Sequence, residues 1–139
     1  MMRRTLLATL FALVAFMSAP AAWAGSYLDR AAILLDESRK EGDMLQPRTF
    51  DKELATVIKA LAEVRSRTGQ KMEVPAAIAK AHPHLLLVLS NCERAADAAL
   101  EGNFKKFMEH LNTAREEEKT FRALVQELGY AVPDLNAKK

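Results

Sequence analysis

The chain has a single cysteine, Cys92, so no disulfide can close within it and packing alone has to hold the fold. Its five glycines stand mostly at the ends of periodic segments, which excludes a glycine-rich phosphate cradle. There is no Glu-x-x-His, which excludes the di-iron arrangement of helical bundles, and no His-Glu-x-x-His, which excludes a zinc-protease helix. No serine is accompanied by a histidine and an acid in an arrangement that sequence reveals. No catalytic residue emerges, and the chain reads as a non-enzyme. Its longest apolar run is also short of the roughly 20 residues that a membrane-spanning helix needs.

That run, Leu6 to Met17, follows Arg3 and Arg4 and is interrupted only by Thr9. Ser18-Ala19-Pro20 ends it, and Ala22-Trp23-Ala24 is a small-x-small cleavage site ahead of Gly25. A positive start, a short apolar middle and a small-residue site make a secretory signal peptide of residues 1–24. The expected destination is a bacterial periplasm by the general secretory route, with full secretion as the alternative. Arg3-Arg4 also permits a twin-arginine reading, in which the protein crosses already folded. No cysteine follows the cleavage site, which argues against a lipid anchor, and cleavage leaves no membrane span.

Cleavage also changes the charge. Loss of Arg3 and Arg4 takes the formal net charge from +2 to zero, with 18 acidic residues balanced by the remaining Lys and Arg. A neutral surface has no electrostatic footprint for nucleic acid or anionic membrane, and Lys138-Lys139 is too short to supply one. Residues 25–139 suit one domain, burying roughly two-thirds of its unfolded surface.

The apolar residues recur with a period near 3.6 rather than 2, so the expected class is all-α. Ser26, with Asp29 three residues on, is close to a capping box; Leu28, Ala31, Ala32, Leu35 and Ser38 follow as a stripe, and Gly42 is a candidate left-handed end. Beyond Pro47, Thr49 is a candidate cap for a second helix whose expected face is Phe50, Leu54, Val57, Ile58, Leu61 and Val64, closed by Gly69. Pro75 opens a short turn through Ala81. Pro83 lacks an N–H and fits only the first turn of a third helix, which carries Leu85, Val88, Leu89, Cys92, Ala96 and Ala99 and runs to Glu101. After Gly102, Asn103 caps a fourth helix with Phe104, Phe107, Met108, Leu111, Ala114, Phe121, Val125 and Leu128 inward, and Gly129 follows it. Short connections favour antiparallel neighbours, so the expected architecture is an up-down-up-down four-helix bundle.

Leu85 to Leu89 is apolar around more than one turn, which means either a helix covered on two sides, with the Pro75 loop closing it, or a dimer interface. Cys92, on the third stripe, reads as a small buried hydrophobe, or alternatively as a reactive thiol or an intermolecular bridge. Glu118 falls near the fourth stripe with Arg115 and Arg122 three and four residues away, the spacing of helix ion pairs.

His82 and His84, around Pro83, are the only cluster of strong metal ligands and the candidate site for copper, nickel or zinc. A stable site wants three or four ligands. His110 is expected opposite about position 95, roughly 16 Å from His84 along the helices, too far to share an ion.

Asn91 to Lys106 resembles the turn between the last two helices of the periplasmic b-type four-helix-bundle cytochromes, with an alanine-rich helix ending in Glu101-Gly102 before the final helix. The likeness covers about a third of the chain. That family has a signal peptide and a similar mature length, and it holds haem between a methionine early in helix 1 and a histidine late in helix 4. Here Ser26 to Glu41 contains no methionine, Arg122 stands about where the histidine would, and there is no Cys-x-x-Cys-His. The resemblance therefore implies the architecture without its ligands, and no cofactor is expected. The functional expectation is a non-catalytic module that binds another periplasmic protein or a copy of itself. The alternatives are a small-ligand or metal carrier using His82 and His84, and a haem electron-transfer protein with altered ligands.

Overall fold

The computed structural model describes the backbone of residues 2–137 and the side chains of residues 23–137. The Lys138-Lys139 tail and the side chains of residues 1–22, within the segment 1–24 read as a signal peptide, lie outside the described residues. Four helices pack as a bundle: α1 (Met2–Leu45), α2 (Lys52–Lys71), α3 (His82–Leu100) and α4 (Phe104–Glu127), with single 3₁₀ turns at Gln46–Arg48 and Ala76–Ile78. There is no strand among the described residues, and none of their helices is long and apolar enough to cross a membrane.

Local chemistry explains most boundaries. Asn103 accepts from the Lys106 N–H at 3.0 Å and starts α4. Gly102 has φ +73°, which turns the chain between α3 and α4, and Gly129 has φ +89° after α4. The Tyr130 N–H then returns to the Val125 carbonyl at 3.1 Å and lays the Tyr130 ring on the core. Pro83 occupies the first turn of α3, where a missing N–H costs nothing.

Three boundaries differ from expectation. Ser26 lies inside α1 rather than at its start. Gly42 is helical and does not end α1; a Cβ there would stand 2.8 Å from Leu111 Cδ1, so the missing side chain lets α4 approach. The cap of α2 is Asp51, whose Oδ1 accepts from the Leu54 N–H at 3.1 Å, whereas Thr49 is buried in the turn before it.

The largest departure is the face of α2. Its buried residues are Ala55, Ile58, Ala62, Arg65, Ser66 and Gly69, so of the expected face only Ile58 is buried and Leu54 half-buried. Val57, Leu61 and Val64 are 57%, 42% and 55% exposed, and Phe50 is 84% exposed. Small side chains let helix backbones come together. At Gly69 a Cβ would stand 2.6 Å from Leu89 Cδ1, so α2 presses its Ala–Ser–Gly face onto α3.

Helix α3 is the centre, and α1, α2 and α4 all pack on it. This is where the excess of Leu85–Leu89 goes. Leu85, Val88 and Leu89 are buried, Leu86 lies against the Gly69 position, and only Leu87 is largely exposed. Ile78 and Ala81, from the turn after Pro75, close over the same cluster. One core is built around Leu35, Leu85, Leu89 and Phe121; a second, nearer the α3–α4 turn, is built around Leu45, Ile58, Ala96 and Phe107.

Candidate functional site

A belt of polar side chains crosses the bundle between these two cores. Arg65 of α2 is nearly buried and reaches α1, where both its terminal nitrogens donate to the Glu41 carboxylate and its Nε donates to Glu37 at 3.2 Å. Burial works against the Arg65 charge, but Glu41 and then Glu37 outweigh it and hold its pKa above the ordinary value. On the other side of α1, Arg39 donates to Glu118 of α4, which also accepts from Arg122 Nε at 3.2 Å. Arg115 donates to Asp43 at 2.9 Å. Glu118 is thus held between two guanidiniums, and Arg122, at the place where the cytochrome resemblance would put a histidine, is occupied by that pair.

Cys92 lies half-buried at the level of this belt and packs against the first core. Burial pushes its thiol up to about 12, the opposite of what a reactive thiolate requires. The internal spaces beside Cys92, Ser38 and Glu41 are about 10 and 20 Å³, room for about one water and no more. Among the described residues no buried side-chain nitrogen or oxygen lacks a partner. The belt is therefore a satisfied set of ion pairs that ties α1 to α2 and α4.

The three histidines take separate partners. His82 Nδ1 accepts from the buried Tyr27 hydroxyl at 2.8 Å, with the two rings edge to face, and the His82 ring also hydrogen-bonds the Gly69 carbonyl. Burial lowers the His82 pKa, with the Gly69 carbonyl opposing, and burial raises that of the Tyr27 phenol. His84 turns to α4, where its Nδ1–H donates to Glu117 at 2.6 Å. His110 sits opposite Asn91, nearer the middle of α3 than position 95, with its Nδ1 3.4 Å from Asn91 Oδ1. His82 and His84 thus face different helices, and no group of three or more His, Cys, Asp or Glu among the described residues is placed to hold a metal ion.

What remains unpartnered is outside. Val57, Leu61 and Val64 form an apolar line along the solvent side of α2, and Ile33, 47% exposed, lies across from its end on α1. There the two helices part in an open groove of about 440 Å³ lined by Arg30, Ile33, Leu34, Thr68, Lys71 and Met72. This face was legible in the sequence as an apolar stripe, but as a stripe directed inward. The signal that corrects it is the small-residue series Ala55, Ala62, Ser66 and Gly69 on the adjoining face.

Comparison with protein-family models, with curated proteins and with solved structures finds no match for the chain in any of the three.

Proposed function

We propose that the protein is an exported, non-catalytic binding module: an up-down-up-down bundle, cut after Ala24 and delivered to the periplasm, that offers the outer face of α2 to another protein surface. The observation that carries this reading is the line Val57, Leu61 and Val64, left in water by a fold that buries the neighbouring small-residue face. Contiguous exposed apolar surface marks association. The antiparallel topology is supported by the order of contacts. Rising numbers on one helix meet falling numbers on the next: Lys59 with Asp97 and Gly69 with Leu89, His84 with Glu117 and Asn91 with His110, Arg39 with Glu118 and Asp43 with Arg115. Export is supported by the order of charge, apolar run and small-residue site before Gly25.

The test is photo-crosslinking in the exporting cell. A photoreactive side chain at position 57 is expected to give covalent adducts with protein, whereas one at Lys105, on the exposed side of α4, gives none. Absence of adducts from position 57 would contradict the reading.

A further inference from the structure

The exposed line on α2 has a coiled-coil spacing of which the bundle uses only the first residue, Leu54, half-buried against the second core. Leu54, Val57, Leu61, Val64 and Thr68 are separated by three, four, three and four residues, the seam of a coiled coil. Within the bundle α2 packs with the face beside this seam, so the seam is a second interface on the same helix.

We infer that α2 pairs antiparallel with α2 of a second copy of the chain along this seam. The inference rests on the interaction reading above and names its partner. The charges on the seam's edge select the second copy. Glu53, Ala60 and Arg67 follow one another at seven-residue intervals beside the seam. Glu53 and Arg67 are exposed, and neither takes part in an ion pair among the described residues. A two-fold axis near Ala60 brings Glu53 of each copy to Arg67 of the other, and Ala60 to Ala60 where the helices need to be close. The same axis sets Val57 against Leu61 and Leu54 against Val64, so the four central layers are apolar. An isologous contact demands this self-complementarity. A parallel pairing would separate Glu53 from Arg67 and leave both unmatched.

The axis also gives a place to the most exposed large apolar side chain. Phe50, in the turn just before the Asp51 cap, is brought to the Thr68 end of the second copy's α2, where that copy's groove between α1 and α2 opens. Ile33, Leu34 and Met72 line the groove, and its volume admits a phenyl ring.

Sedimentation equilibrium of the exported protein, as purified from the cells that process it, is expected to show a monomer–dimer equilibrium. Leu61→Glu should give a monomer with unchanged helix content. Glu53→Arg and Arg67→Glu should each weaken the dimer about tenfold, and the double variant should restore it, because two rim pairs turn from attractive to repulsive and back. In a Cys92→Ala background a short bis-maleimide should link Ala60→Cys copies and not Val64→Cys copies, since only position 60 meets itself across the axis. A chain that stays monomeric at all concentrations overturns the inference. So does a dimer indifferent to Leu61→Glu, or single charge reversals that the double variant does not rescue. A monomer that still yields heavier photo-adducts from position 57 overturns only the second copy and leaves the interaction reading standing.

Discussion

Gly69 reverses the usual sign of a glycine substitution. In a helix interior, Gly→Ala ordinarily stabilises by about 0.5–1 kcal/mol. Here the new methyl would meet Leu89 Cδ1 at 2.6 Å and Leu86 Cδ2 at 3.2 Å, and Leu89 is buried against α3's other neighbours with nowhere to step. Gly69→Ala is therefore expected to lower stability by about 1–3 kcal/mol in a urea titration, the range for an overpacked core. His82 supplies a second residue-level expectation. Burial favours its neutral form, in which Nδ1 accepts from Tyr27, so the folded pKa lies below the unfolded value of about 6.5. The unfolded chain then binds the proton more readily, and the contribution of His82 is full above that value and lost as pH falls through the folded pKa. The urea midpoint should drop between about pH 7 and about pH 5, and the drop should shrink in His82→Gln. The burial of Leu28, Leu35, Phe107 and Phe121 was legible at this scale, because each lies on a stripe of helical period; that of Tyr27, beside Leu28, was not. The role of Gly69 was not, because a helix-ending glycine and a close-approach glycine look alike until the facing side chain is known.

At the scale of elements, α2 meets α1 through charge as well as through the apolar cluster around Leu45 and Ile58. Arg65 occupies a core position, and Glu41 and Glu37 meet it from α1. Arg65→Ala would leave Glu41, itself mostly covered, without its counter-ion. The expected loss is about 3 kcal/mol in chemical unfolding, the low end for one partner removed from a buried pair, with part of it recovered when Glu41→Gln is added. The bounds of helices α3 and α4 were readable almost to the residue, because Pro83, Gly102, Asn103 and Gly129 each have one mechanical use, but Phe104, expected inward, is 50% exposed. Helix α2 was readable as a helix but not in its rotation. Two faces compete on it, a 3.5-spaced seam of Val57, Leu61 and Val64 and a small-residue face of Ala55, Ala62, Ser66 and Gly69. Hydrophobic periodicity weights the bulkier face. Packing against an alanine-rich α3 favours the one that lets backbones approach.

For the molecule as a whole, two apolar cores are joined through a waist of ion pairs, and the cavities at that waist hold about one water each. The all-α class and the count of helices were plain from periodicity and punctuation. The waist was not, because its pairs join α1 to α2 and α4 across 24 to 79 residues of sequence, and only folding brings them together. The interior at the waist is nearly solid, and the rotation of α2 decides which of its faces is left outside. Urea unfolding of Leu61→Glu beside Ala62→Glu, followed by far-ultraviolet circular dichroism, tests that rotation most directly. At protein concentrations too low for pairing, Leu61→Glu should keep a cooperative helical transition close to that of the parent, and Ala62→Glu should lose it. A stable Ala62→Glu chain and an unfolded Leu61→Glu chain would contradict the account.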